Sequence, residues 1–221
     1  MRDYDFGNES RLASLLTDER LQSYVACSQS LERAIALYEW NIDVSAAVLA
    51  TCAAVEVVVR NAMDHALQQW ALAQGHDDWL DAAPLDAKGR AAIAIARKYI
   101  SAKGRGVPAL RPTAELTFGF WRYLVTGRYL TTLWMPGLRH AFPFGCEDPQ
   151  SRRSEVHFAL QQLVFVRNRA AHHEPIHTRN LLRDNDLAIG LAAMVDPVAG
   201  EWVAQRSTIP AIVAVKPTFA A

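Results

Sequence analysis

The chain has 221 residues, 51% of them apolar, with 23 basic side chains against 23 acidic ones. That is long enough for a good core without disulfide or metal staples and too apolar for intrinsic disorder, and the zero net charge leaves any nucleic-acid contact to a local patch. Cys27, Cys52 and Cys146 are far apart and odd in number, which reads as buried, inert thiols in a reducing compartment.

No signal-peptide pattern opens the chain. No apolar run is expected to reach the ~18 residues of a membrane span, so the expectation is a soluble, cytoplasmic protein without membrane contact.

In chain order, residues 1–9 are polar, Ser10 is placed to cap a short helix through Leu16, and Thr17 with Asp18 and Glu19 opens a second. Together 1–29 reads as a helical extension. Leu31, Ala34, Leu37 and Trp40 then form a stripe that Asn41-Ile42-Asp43 is expected to end, with Asp43 capping the next helix. That helix, predicted over 44–73, carries Val48, Cys52, Val55, Val59, Ala62, Ala66 and Trp70 on one face and contains no glycine or proline. Along its edge Glu56, Arg60 and Asp64 are four apart, as are Asn61 and His65, close enough for a surface ladder.

Pro84 can begin a helix to about Lys103. The segment 98–111 holds Lys98, Lys103, Arg105, Pro108 and Arg111 and reads as an exposed basic loop, a candidate for contacting phosphate. Thr113 is expected to cap a helix that buries Leu116, Phe120, Tyr123 and Leu124. Glycines and prolines then break the chain into short pieces as far as Asp148-Pro149. A long helix from about Ser151 puts Val156, Leu160, Leu163 and Arg167 on one stripe and Phe158, Phe165 and His172 on its neighbour, and Pro175 ends it. Helices over 178–195 and 197–205 and an extended tail over 207–221 complete the reading.

The chemistry is densest in Val166-Arg167-Asn168-Arg169-Ala170-Ala171-His172-His173-Glu174-Pro175. Its Arg-Asn-x-x-x-His pattern occurs a second time, from Arg60 to His65. Three chemistries compete for the block. In metal-independent RNA cleavage, a histidine moves protons, arginine meets charge building on phosphorus and asparagine orients; one histidine is not readily both base and acid, so a dimer or His173 would supply the second. Asn168 and His172 share a helix face, whereas Arg167 and His172 differ by about 140°. In a zinc hydrolase, His173-Glu174-Pro175-Ile176-His177 would serve as H-E-x-x-H, but that motif needs a continuous helix, Pro175 interrupts it, and no third histidine comes after it. In a structural role, Arg167 pairs with Glu56 or another acid and the histidines are core or cap residues.

Glu56-Val-Val-Val-Arg-Asn61, Leu116-Thr-Phe-Gly-Phe-Trp121 and the block from Val166 to Ile176 resemble the Abi-like proteins of the HEPN superfamily, bacterial abortive-infection and toxin-type proteins, across about 31–191. The resemblance implies an all-α, HEPN-like bundle around a four-helix core with extra short helices, one domain over 1–221, and a homodimer. It also implies a ribonuclease acting in phage defence or as a toxin, with no metal or cofactor, leaving a 2',3'-cyclic phosphate and a 5'-hydroxyl. Its R-x(4-6)-H motif runs here from Arg167 to His172. Carried over, His172 is general acid/base, Arg167 phosphate stabiliser and Asn168 orienter. Glu56, Arg60 and Asn61 match the family's first block and are implied to line the same cleft, with His173 in a supporting role. His65 has no implied role. Superfamily members that only bind RNA, a nucleotide or a protein partner make a silent module the alternative, and an antitoxin or regulatory partner fits either reading.

Overall fold

The computed structural model describes residues 6–102 and 111–219, and every regular element among them is helical. The chain runs through α1 (Phe6–Leu16), α2 (Asp18–Ser28), α3 (Leu31–Ala73), the one-turn α4 (Trp79–Ala82) and α5 (Ala87–Ala102). After a 3₁₀ turn at Pro112–Glu115 come α6 (Phe118–Leu124) and a series of short 3₁₀ and π turns. The chain then continues as α7 (Pro149–Ala171), α8 (Leu181–Val195), α9 (Pro197–Arg206) and α10 (Ile209–Ala214). The fold class is all-α.

These residues gather into two compact units. The first comprises Met1–Thr51, Phe165–Asn185 and Ser207–Ala221, and the second Cys52–Val164 and Asp186–Arg206. Both α3 and α7 contribute residues to each.

In the first unit, α2 and α3 bury Leu21, Tyr24, Leu37, Trp40, Val44 and Val48, with Val166, Ala170, Ile176 and Leu181 from later in the chain. The expected break at Asn41-Ile42-Asp43 is absent: α3 is one helix of 43 residues, and Asp43 lies inside it rather than capping it. Nothing in the tripeptide stops a helix, and Asn41 has a tertiary task. Its side chain is buried, and Oδ1 accepts the Ile176 N–H at 2.8 Å. The tail expected to be extended instead contains α10. Pro210 sits in its first turn, where a missing N–H costs nothing, Ile209 is buried, and Trp40 Nε1 donates to the Ile212 carbonyl at 2.7 Å. Lys216 Nζ donates to the His177 carbonyl at 2.6 Å and lies 5.2 Å from the centre of the Trp40 ring. Three residues at which the chain leaves or re-enters this unit are joined by hydrogen bonds: Thr51 Oγ1 donates to Ser207 Oγ at 3.2 Å, and Ser207 Oγ to Asn185 Oδ1 at 2.6 Å.

In the second unit, Cys52, Val55, Val59, Met63 and Leu67 of α3 are buried among side chains that include Trp79, Trp121, Trp134 and Leu160. Trp79 Nε1 donates to Asp64 Oδ1 at 2.7 Å, and Arg111 Nη1 lies 3.5 Å from Asp64 Oδ2, so Asp64 serves the indole rather than a surface ladder. Helix α6 is capped by Thr117, whose Oγ1 accepts the Phe120 N–H at 3.3 Å, and not by Thr113, which lies in the preceding 3₁₀ turn. Helix α5 begins after Asp86, whose Oδ1 accepts the Gly89 N–H at 3.0 Å, and α7 begins after Asp148, whose Oδ2 accepts the Ser151 N–H at 2.7 Å. Gly200 permits the close approach of α9 to α8, because a Cβ there would lie 2.6 Å from that of Ala193.

Two composition-based expectations need correction. Cys52 is buried, but Cys27 and Cys146 are exposed, since their spacing in the chain says nothing about the helix faces they occupy. An 18-residue window of α3 is apolar enough, and the helix long enough, to cross a membrane, because Ser45, Thr51 and the two acids Asp43 and Glu56 interrupt the run without making it polar; the core helix of a soluble protein passes the same test.

Replacing Asn41 by alanine strands the buried Ile176 N–H. Urea unfolding is expected to show a loss of about 1–3 kcal/mol with an unchanged slope; an unchanged midpoint would mean the bond contributes nothing.

Candidate functional site

Helix α7 ends in a Schellman turn. The Glu174 N–H reaches back to the Arg169 carbonyl at 2.8 Å and the His173 N–H to the Ala170 carbonyl at 3.2 Å, with His173 in the left-handed conformation at φ 57°. The apolar contact that usually accompanies such a turn is replaced by an ion pair, Arg169 Nη1 to Glu174 Oε2 at 3.4 Å. Arg169 also donates to the Pro175 carbonyl from Nε at 3.2 Å and Nη2 at 2.8 Å. From α2, Arg20 Nη1 donates to the His173 carbonyl at 2.6 Å. Together with the Asn41 bond to Ile176, these contacts fix the backbone that carries the histidines.

The neighbouring charges are also committed. Arg179 grips the buried carboxylate of Asp184 through two contacts, Nε to Oδ2 at 2.5 Å and Nη2 to Oδ1 at 2.7 Å. The guanidinium carbons of Arg179 and Arg169 lie 5.1 and 5.7 Å from the centre of the half-exposed Phe165 ring.

Arg167 is used differently. It is half-buried and donates from Nη1 to Asn168 Oδ1 at 3.3 Å, and no ion pair engages it among the described residues. This differs from the buried or acid-paired arginine of the structural reading. Asn168 and His172 are exposed, and His172 comes directly after the last helical residue, its N–H bonded to the Asn168 carbonyl at 2.9 Å. Among the described residues no hydrogen bond or ion pair holds the His172 ring. The end of α7 therefore carries Arg167 bonded to Asn168, and the exposed His172 and His173 just after it.

Glu56, Arg60 and Asn61 belong to the second unit, and the Arg167 block to the first. The second copy repeats the local geometry of the first: Arg60 Nε donates to Asn61 Oδ1, again at 3.3 Å, and His65 is exposed. Of the expected basic loop, Lys103, Arg105 and Pro108 lie outside the described residues. Lys98 is exposed on α5, while the Arg111 charge already faces Asp64 and Asp78 and donates to Gln68.

The H-E-x-x-H spelling does not lie on one helix face. His173 is an exposed turn residue, whereas His177 is buried with its ring 4.8 Å from that of Tyr24. Among the described residues no three of His, Cys, Asp and Glu gather as metal ligands. Burial, and secondarily Lys216, hold the His177 pKa below its ordinary value, and burial followed by Arg122 and Arg153 does the same for His157 in the second unit. Burial first, then Tyr38, pushes the Tyr24 hydroxyl up to about 12.

Sequence reasoning missed Arg20, Asn41 and the Arg179–Asp184 pair. Arg20 and Asn41 act on residues 153 and 135 positions away, and no local spacing signals them. Comparisons of the chain with protein-family models, curated proteins and solved structures give no match.

Glycine at position 173 would adopt the left-handed conformation without Cβ strain. His173→Gly is expected to leave stability unchanged or raise it by up to ~1 kcal/mol in chemical denaturation, while His173→Val should lower it.

Stability should also depend on pH. Because His177 and His157 have lowered folded-state values, protonation favours the unfolded chain. Their contribution is whole above the ordinary histidine value of about 6.5 and is lost as pH falls from there through the lowered values. Melting temperature should be lower at pH 5.5 than at pH 7.5, with a smaller difference in His177→Gln. The lowered pKa values of Asp86, Asp148 and Glu19 act in the same direction but only below about pH 4.5.

Proposed function

We propose that this protein is a metal-independent endoribonuclease of the HEPN type, related to the Abi-like abortive-infection proteins, with Arg167, Asn168 and His172 as its reacting group. One contrast carries the reading. Arg169 and Arg179 are consumed by carboxylates and backbone carbonyls, while Arg167 and the exposed His172 ring, at the same helix end, are left for an external ligand. A guanidinium and an imidazole carried at one helix end suit a phosphodiester. The turn that carries them is held by Arg20, Asn41 and Arg169, so little reorganisation is needed on binding.

In the reaction, the ribose 2'-oxygen attacks phosphorus and loses its proton to an imidazole. The bond from phosphorus to the 5'-oxygen breaks, and the leaving oxygen takes a proton from a second acid. The products are a 2',3'-cyclic phosphate and a 5'-hydroxyl. Arg167 meets the charge on the non-bridging oxygens, and Asn168 orients the guanidinium through Oδ1. His172 serves one proton transfer; His173, or His172 of a second copy in a homodimer, serves the other. Glu56, Arg60 and Asn61 take a supporting part in RNA binding. The setting is the cytoplasm, in phage defence or as a toxin restrained by a partner such as an antitoxin.

The test incubates the purified protein and its His172→Ala variant with total bacterial RNA in EDTA and analyses the new ends. Cleavage by wild type alone, leaving cyclic phosphates, is the expected result, with His172→Ala slower by about 10²–10⁴-fold. No cleavage by the wild type, or cleavage lost only on adding EDTA, would overturn the reading. Arg167→Ala is expected to lose comparable activity with an unchanged melting temperature; a fall of several degrees would mark the arginine as structural.

A further inference from the structure

A groove of about 460 Å³ opens in the second unit, and the second Arg-Asn-x-x-x-His copy delivers its histidine there. From α3 come His65, Gln69 and Trp70, and from the turns before α7 come Gly137, His140 and Pro143. Most of the exposed lining is apolar and none of it is a carboxylate.

We infer that this groove binds a nucleobase carried on a ribose phosphate. Its composition matches the two parts of a base. Trp70 and the alanine and proline lining offer the apolar surface that a base's flat face seeks. His65 and Gln69, one helical turn apart on the same face of α3, and His140 on the facing segment offer hydrogen-bonding tips. An amide is donor and acceptor at once, as base edges require. The phosphate would be met by Arg139, next to the lining residue His140 in sequence and with its Nε 3.4 Å from His140 Nε2, whereas Arg152 is spent on the Cys146 and Arg139 carbonyls. The missing carboxylates leave nothing in the lining to repel an anion.

The groove is pre-formed. A Cβ on Gly137 would lie 3.0 Å from that of Trp70, so the turn packs directly on the indole-bearing residue with no space for a side chain. The Phe144 N–H donates to the Met194 carbonyl at 3.0 Å and ties the turn segment to α8. The volume falls in the range of small-molecule sites and has room for one nucleotide.

The base-binding chemistry stands on the groove alone; the choice of an RNA strand over a free nucleotide as its carrier rests on the ribonuclease reading. The test measures fluorescence anisotropy of a labelled single-stranded RNA hexamer on the full chain carrying His172→Ala, so that cleavage does not intervene. Adding His65→Ala with His140→Ala should weaken binding about tenfold or more at an unchanged melting temperature. Gln69→Ala, an exposed change, should weaken it in the same direction and decides the matter if the double variant melts early, and Trp70→Phe should retain binding. Competition by unlabelled hexamer but not by AMP or UMP assigns the base to an RNA strand; equal competition assigns it to a free nucleotide. Absence of binding to both, or groove variants that bind like the parent, would overturn the inference. A protein that binds through the groove yet never cleaves RNA would overturn the ribonuclease reading alone.

Discussion

No glycine or proline interrupts the chain between Leu31 and Ala73, and both compact units are built on the helix that results. Ala34, Leu37, Trp40, Val44 and Val48 supply buried positions to the first unit, and Cys52, Val55, Val59, Met63 and Leu67 to the second, one or more for each helical turn. An interior proline would cost about 3 kcal/mol in the helix itself, before any loss of packing. Asn41, like Ser45 and Thr51, is a polar side chain buried among these apolar positions. It cannot be buried without a partner, and the partner it has is the Ile176 N–H, just beyond the histidine turn. The longest helix is thereby tied to the end of α7.

That helix end sorts like charges into different fates. Arg167 and Arg169 are two residues apart in the same turn, with identical side chains. The Schellman turn brings the Pro175 carbonyl and Glu174 to Arg169, which is spent on closing the helix, while Arg167 points along another face and, among the described residues, bonds to its asparagine neighbour. Arg179 is spent in turn on Asp184 and on the ring of Phe165. Strong electrostatics around the turn therefore hold its backbone in place, and Arg167 stands outside them.

Much of the fold was legible in the sequence, for definite reasons. The apolar stripe of the helix through Val48 and Val59 has a helical period, and α7 begins two residues before the expected Ser151 and ends ahead of Pro175. What was hidden depends on contacts across long stretches of chain. The helix continues past Asn41 because that amide's partner lies far downstream, and the tail turns helical because Ile209 and the Trp40 indole hold it, although its β-branched residues read as extended. At the candidate site, Arg167, Asn168 and His172 were visible as a sequence motif. Which arginine the structure would consume was not, since that depends on a turn geometry that a histidine at φ 57° completes. The groove at His65 was hidden for a related reason: its facing wall comes from short turns whose Gly and Pro mark breaks without showing where the pieces go.

The hydrogen-bonded trio of Thr51, Asn185 and Ser207 has a topological meaning. Residues 186–206 leave the first unit and return to it beside their own point of departure, so they form a closed detour. The entropic cost of closing such a detour grows only slowly with its length. Buried Leu191, Ala192 and Val203 commit the body of this segment to the second unit, so it is at the 185/207 junction, where both ends are held to the first unit, that added length costs least.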